Sequence, residues 1–367
     1  MPLVWLLSLA AAAYQLLAII AALRHLARPR PPRPARAEGV SVLKPLRGVD
    51  PNTRTAFLSQ VRQRYPVFEL VFGAREENDP AAAEVRRLAA GYPDAQIRLV
   101  IGAPSTPNGK AGMLISLASH ARYPIWIVND SDIKVDPEYL AEVVAPLENP
   151  SIGLVTCLYR VQPHNVPAAW EALGIMTDFM PSTLVAPLVG VREFGLGSTL
   201  AFRAEDLARA GGFEAVAPYL ADDYQLARRI VSLGKRAVIS TYVVETSLGN
   251  ATWTGIWQHQ LRWARTIRAS KGAGYAGLPI THAGLWIALA LAFSAWPVAL
   301  ALFLLRSLSA LLTGGVVLRS RLAAAFCWLA PLWDLYAFAV WLASYAGNTV
   351  RWRDETLAID REGRILR

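Results

Sequence analysis

The hydrophobic pattern changes character twice along the chain. Leu3 to Leu23 is predominantly apolar, and a helix of that length spans a hydrocarbon layer of about 30 Å. A basic stretch follows, with Arg24, Arg28, Arg30, Arg33 and Arg36 interleaved with prolines. From Val40 the pattern shortens. Apolar runs at Val40–Leu43, Phe68–Gly73, Ile97–Ile101, Ile125–Asn129 and Gly153–Leu158 predict strands. Helical stretches such as Pro80–Ala90 and Ala111–His120 fall between them. Strands that are apolar throughout predict a largely parallel α/β sheet covered on both faces. Ligands of such sheets bind beyond the carboxyl ends of the strands. The last third is apolar again. Leu285–Leu305 and Leu322–Ala346 are each long enough to span, and Leu308–Leu318 is shorter. The Trp296-Pro297 break offers a second reading, a tight hairpin within Leu285–Leu318, so two and three C-terminal spans both stand. The pattern divides the chain into a membrane helix (1–24), a basic proline-rich linker (25–39), an α/β domain (40–282), C-terminal membrane helices (283–347) and a basic tail (348–367).

Composition agrees with a membrane-bound protein. Of 367 residues, 54% are hydrophobic, and 37 basic against 28 acidic residues leave a net charge of +9. Many of the arginines flank apolar segments, as the positive-inside rule expects, and the basic linker places the domain after it in the cytoplasm. An even number of C-terminal spans returns the basic tail there as well, although Arg306, Arg319 and Arg321 then lie outside. No helix combines basic and aromatic residues in a nucleic-acid-reading motif. Cys157 and Cys327 are the only cysteines, which gives neither a disulfide framework nor a zinc site.

Four polar signals carry candidate chemistry. Asp130-Ser131-Asp132 follows the apolar run Ile125-Trp126-Ile127-Val128, so its carboxylates emerge where a buried strand enters a loop. Hard divalent cations such as Mg²⁺ take one or two carboxylates plus substrate phosphates. The competing reading is a turn or cap, because Asp136-Pro137-Glu138 opens a helix just after. Asp222-Asp223 opens another helix; the helix dipole favours acidic residues there, and one of the pair is placed to serve as a general base. Arg262-Trp263 lies in Trp257-Gln258-His259-Gln260-Leu261-Arg262-Trp263. A guanidinium grips a diphosphate and an indole stacks on a sugar, but the same helix also reads as amphipathic and resting on a membrane surface. Lys110 follows Asn108-Gly109 at a helix start, as a phosphate contact or as a solvated lysine. Gly195-Leu196-Gly197-Ser198-Thr199 is a small-residue turn where backbone can approach a ligand.

The succession Leu43-Lys44-Pro45-Leu46-Arg47-Gly48, Asp130-Ser131-Asp132, Ala221-Asp222-Asp223-Tyr224 and Arg262-Trp263 resembles the ceramide glucosyltransferase group of family 2 and 21 glycosyltransferases. Thr156-Cys157-Leu158-Tyr159-Arg160, Leu220–Tyr224 and Leu261–Arg268 look most similar to its bacterial hopanoid-biosynthesis members. The resemblance covers nearly the whole chain. It implies a GT-A fold, a UDP-sugar donor, a divalent cation (Mg²⁺ or Mn²⁺) and inversion at the anomeric carbon. Carried over by position, it implies that Asp130 and Asp132 hold metal and donor and that Asp223 is the base. Arg262 and Trp263 then close on the diphosphate, Lys44 and Lys110 lie near the nucleotide, and Asp222 and His259 stand on the acceptor side. Two positions depart from the pattern. Glu76 stands where an aspartate usually contacts the uracil, and His259 opens a motif that usually begins with Gln or Arg.

The sequence therefore predicts a multi-pass glycosyltransferase of the bacterial inner membrane. It moves N-acetylglucosamine or glucose from a UDP-sugar to a membrane lipid hydroxyl, preferably of a hopanoid polyol, with UDP-glucose and ceramide as the near alternative. A processive polysaccharide synthase is a second reading, but such an enzyme needs more spans for its channel. A non-catalytic membrane adaptor with a nucleotide-sugar fold is a third.

Overall fold

The computed structural model describes the chain apart from residues 1, 33, 35, 36, 353, 354 and 367. Arg33 and Arg36 of the linker and Arg353 of the tail thus lie outside the described residues. The chain forms two compact units. One, the sheet unit, comprises Pro29–Tyr159 and Arg192–Gly249; the other, the helical unit, comprises Met1–Arg28, Arg160–Val191 and Asn250–Arg367.

Seven strands build the sheet unit: β1 (Val40–Pro45), β2 (Phe68–Ala74), β3 (Ile97–Ile101), β4 (Ile125–Val128), β5 (Ile152–Gln162), β6 (Leu200–Arg203) and β7 (Arg236–Ser247). Their order is β3-β2-β1-β4-β6-β5-β7. β1, β2, β3 and β4 run parallel, in register Val42↔Leu70 and Val42↔Ile127. β6 runs antiparallel to both β4 and β5. The five strands expected from sequence are present. β6 and β7 were not among them: β6 has only four residues, and β7 mixes polar with apolar positions. β1 and β2 are buried on both faces, which is why they read as unbroken apolar runs. Leu114 and Leu117 of the helix Gly109–Ala118 pack on Leu43, Val71 and Val128 from one side of the sheet. Each such side chain, fully buried, contributes roughly 1.5–3 kcal/mol. From β1 the chain runs to β2 and β3 on one side, and the connection out of β3 crosses back to β4 on the other side of β1. In such sheets ligands bind at the switch point, which here lies at the carboxyl ends of β1 and β4.

The helical unit is apolar around a small polar centre. Among the described residues, four of its helices are long and apolar enough to cross a membrane: Val4–Leu26, Val166–Val189, Trp296–Val317 and Arg321–Ser344. The pair Gly272–Ile280 and Ala283–Ala292 is long and apolar enough only when taken together, and it is bent by 43°. The continuous span expected at Leu285–Leu305 is not formed. The helix stops at Ala292 and restarts at Trp296, with Ser294 at φ 56° in the turn between. The break falls at the Trp296-Pro297 step, and Pro297 fits at the start of the new helix, where a missing N–H leaves nothing unpaired. Val166–Val189 was not expected as a long apolar helix, because Glu171, Asp178, Pro181 and Pro187 interrupt its sequence. Gly174 is required in it: a Cβ there would sit 1.9 Å from the Trp333 ring. Arg306 and Asp334 form a buried bidentate pair. The stretch read as a basic tail folds into three antiparallel strands, β8 (Thr349–Trp352), β9 (Glu355–Ile359) and β10 (Ile365–Leu366).

Candidate functional site

The loop after β4 is fixed before any charge is placed on it. Asn129, fully buried, donates through Nδ2 to Tyr139 Oη at 3.0 Å and to the Ser198 carbonyl at 2.7 Å. Asp130 N donates to the Gly197 carbonyl at 3.2 Å. These bonds tie the loop to the Gly195–Thr199 turn. Lys44, at the end of β1 and fully buried, donates from Nζ to the Asp130 carbonyl at 2.9 Å. Burial pushes its ammonium down to about 8, against the pull of Asp132 and Asp130. Lys44 thus braces the loop backbone from below the site.

Three carboxylates gather around one ammonium. Asn108 caps the helix Gly109–Ala118 by accepting from Lys110 N and Ala111 N, and this cap sets the direction in which Lys110 leaves the helix. Lys110 Nζ lies 2.7 Å from Asp130 Oδ1 and 3.6 Å from Asp222 Oδ2. Burial alone would push this ammonium down, but Asp130, Asp222 and Asp223 outweigh it and hold it well above the usual lysine value. The helix Asp222–Ser232 carries the other two carboxylates on its first turn. Asp222 is buried and lies 3.4 Å from Asn108 Nδ2. Asp223 accepts from Gly197 N at 3.1 Å and from its neighbour Tyr224 N at 2.7 Å. Burial first, and then the adjacent Asp222 carboxylate, push Asp223 up to about 6. A carboxyl poised near neutrality is suited to proton abstraction. Gly197 closes the ring: a Cβ on it would come within 3.0 Å of Asp130 Oδ2 and 3.3 Å of Lys110 Nζ. Only glycine leaves this space open.

Asp132 has different partners. It accepts from the Thr246 hydroxyl and, at 3.0 Å, from Ser247 N, both at the end of β7. Burial, then Asp130, push its carboxyl up. Among the described residues, no three His, Cys, Asp or Glu side chains are grouped to hold a metal ion. The donor set nevertheless fits a hard cation of the Mg²⁺ kind, which takes one or two carboxylates and completes its shell with water and phosphate oxygens. Asp130, with 44% of its side chain exposed, is the accessible member. Glu76 is exposed in the turn after β2, where Asp79 caps the next helix and also accepts from Gly48 N at 3.0 Å.

The remaining sequence candidates lie in the helical unit, on the helix Trp253–Ser270. His259 Nδ1 is 2.6 Å from Glu171 Oε1, and Gln260 Nε2 donates to the same oxygen at 2.7 Å. The Trp263 ring packs on His259 at 4.8 Å and on Phe179 at 5.1 Å. Arg262 accepts at its carbonyl from Thr266. Arg265 and Arg268 of the same helix bind carbonyls of Ala346 and Gly347, which ties the helix to the start of the β8–β10 sheet. The sequence reading did not single out Asn108, Thr246 or Glu171. The Asn-Gly-Lys order before an apolar run is a legible cap signal for the first. Thr246 and Glu171 carry no local signal, because their partners are more than eighty residues away.

A mannosyltransferase from Pyrobaculum calidifontis, solved in complex with GDP-Man and Mn²⁺, is 22% identical with a TM-score of 0.54, covering 93% of this chain and 98% of that one. The fold is a GT-A-like glycosyltransferase fold. Ceramide glucosyltransferase 1 of Caenorhabditis elegans is 28% identical over 246 residues, which is 66% of this chain and 52% of the relative. Ceramide glucosyltransferase 3 of the same organism is 25% identical over 231 residues, 62% of this chain and 50% of the relative. The chain spans about half the length of these curated relatives. The glycosyl transferase family 21 model matches residues 3–365, and with these carboxylates at the switch point of its sheet the chain belongs to that sugar-transferring family.

Proposed function

We propose that the protein is an inverting, membrane-bound glycosyltransferase that moves a sugar from a UDP-sugar to a lipid hydroxyl. The observation that carries this reading is the gathering of Asp130, Asp222 and Asp223 around Lys110 at the carboxyl end of β4. In this reading Asp223 takes the proton of the acceptor hydroxyl, and the freed oxygen attacks the anomeric carbon from the face opposite the leaving group. Lys110 turns from Asp130 toward the phosphates as the leaving group gains charge. Asp130 and Asp132 would hold a divalent cation, which would offset the charge of the departing diphosphate. Asn129, Lys44 and Gly197 keep the loop rigid, so that little reorganisation remains for the moment of reaction. Arg262, Trp263 and His259 act on the diphosphate and acceptor side, and Glu76 lies at the base of the nucleotide.

The acceptor is a hopanoid polyol with UDP-N-acetylglucosamine as donor. The resemblance of Thr156–Arg160, Leu220–Tyr224 and Leu261–Arg268 to that branch supports this choice. The ceramide glucosyltransferase relatives favour a second reading, UDP-glucose and ceramide. Purified full-length protein, incubated with labelled UDP-sugars and with hopanoid or ceramide extracts, is assayed by mass spectrometry of the lipid products. A monoglycosylated hopanoid is expected. Glycosylated ceramide alone selects the second reading. Long polymer, or no labelled lipid from any donor, refutes both.

A further inference from the structure

Glu171 is 2% exposed and sits in a largely apolar helix of the helical unit. An ionised carboxylate so placed costs several kcal/mol in lost hydration unless it is paired. Here one oxygen, Oε1, meets two nitrogens, His259 Nδ1 at 2.6 Å and Gln260 Nε2 at 2.7 Å. A carboxylate only accepts, so both nitrogens donate. Nδ1 of His259 therefore carries a proton, and in the neutral ring Nε2 is left as the acceptor. The ring is held from its Nδ1 edge by Glu171 and along its side by Trp263, whose indole is in turn backed by Phe179. His259 nonetheless keeps 27% of its side chain exposed. A histidine fixed in tautomer and orientation beside an indole ring suits a ligand that is hydroxylated at one end and hydrophobic at the other.

We infer that Glu171 is a positioning residue, which holds His259 so that Nε2 accepts a hydrogen bond from a hydroxyl of the lipid acceptor while Trp263 packs on the adjoining apolar part. This deepens the lipid-acceptor reading above and rests on it. Glu171 acts through His259, so the two substitutions must not compound. Kinetics are measured on full-length protein in detergent, with the lipid that wild type glycosylates. Glu171→Gln should raise the half-saturating acceptor concentration about fivefold, as the loss of one aligned hydrogen bond brings. UDP binding by calorimetry should stay unchanged. His259→Ala should show a similar rise, and the double variant should be no worse than His259→Ala alone.

Multiplying effects, or an unchanged acceptor dependence in Glu171→Gln, would overturn the inference. Absence of lipid turnover by wild type would instead defeat the functional reading on which it rests. A second measurement needs no acidic-site variant. In ¹⁵N NMR of histidine-labelled wild type, the resonances lost in His259→Asn should show a protonated Nδ1 and a bare Nε2. The opposite tautomer overturns the inference whatever the kinetics.

Discussion

Lys110 Nζ lies 2.7 Å from Asp130 Oδ1, and this contact joins the start of one helix to the loop after a central strand. The ammonium is the positive charge at the centre of three carboxylates. Replacing it by methionine keeps the volume and removes the charge, leaving Asp130, Asp222 and Asp223 to repel one another. Asp130 is 44% exposed, so water offsets part of the loss, and a destabilisation of about 1–2 kcal/mol is expected for Lys110→Met. Donor affinity should fall as well, because the group that meets the phosphates is gone. Thermal unfolding and UDP calorimetry check the two effects separately. Unchanged UDP affinity would show that Lys110 is structural only.

Asp223→Asn tests the proposed base. The amide keeps the shape and can still accept from Gly197 N, but it cannot take a proton. Turnover should drop by about 10² to 10⁴, with UDP-sugar binding largely intact. Equal turnover of variant and wild type would remove Asp223 from the chemistry and favour the adaptor reading.

The same residue sets the acid limb of the pH profile. With its pKa raised to about 6 by burial and Asp222, Asp223 is ionised above that pH and protonated below it. The proposed base works only when ionised, so kcat/KM should be level above about pH 6 and fall about tenfold per unit below it. Stability runs the other way. The folded form binds this proton more tightly than the unfolded chain does, so the contribution of Asp223 to stability is present below its ordinary carboxylate value and is lost as pH rises through about 6. A rate that stayed level down to pH 4.5 would refute the assignment.

The parallel strands were legible because burial on both faces leaves an apolar run with no period to misread, as at Val40–Leu43. Asp130 and Asp223 were legible because each stands at a boundary, one where a strand ends and one where a helix begins. What the sequence hid was pairing over distance. Nothing near Asp132 announces that Thr246 and Ser247 both donate to its Oδ2, and nothing near Glu171 announces His259. Val166–Val189 hid for a related reason. Glu171 and Asp178 look like interruptions of an apolar stretch, yet Glu171 is spent on His259 and Gln260, and Asp178 accepts from Trp333 Nε1 at 3.2 Å. A polar residue satisfied inside the fold no longer counts against burial.

Asp132 serves two purposes that a pair of variants separates. It latches the β4 loop to the end of β7 through Thr246 and Ser247, and in the proposed reading it also helps hold the cation. Asp132→Ala removes both roles, whereas Thr246→Val removes one hydrogen bond and keeps the carboxylate. Mn²⁺-dependent UDP-sugar binding should weaken at least tenfold in Asp132→Ala, the lower bound for losing a group that orders a metal site. It should change little in Thr246→Val. Equal weakening in the two would mean that Asp132 matters only as a latch.

Arg306 and Asp334 make the sharpest stability test in the helical unit. The guanidinium grips both Asp334 oxygens at 2.7 and 2.9 Å and donates to the Thr177 carbonyl at 2.7 Å. Asp334 also accepts from Gly284 N at 3.0 Å. The pair therefore links four segments of the unit. Arg306→Met strands a buried carboxylate and should destabilise by about 3–5 kcal/mol. Adding Asp334→Leu removes the stranded charge and should recover much of that loss. Recovery stays incomplete, because Thr177 O and Gly284 N are then buried without these partners, at about 1–3 kcal/mol each. Reversible unfolding in detergent, monitored by circular dichroism, should thus rank wild type above the double variant and the double variant above Arg306→Met. A double variant less stable than the single would mean that the Gly284 N–Asp334 hydrogen bond, rather than the charge balance, holds these helices together.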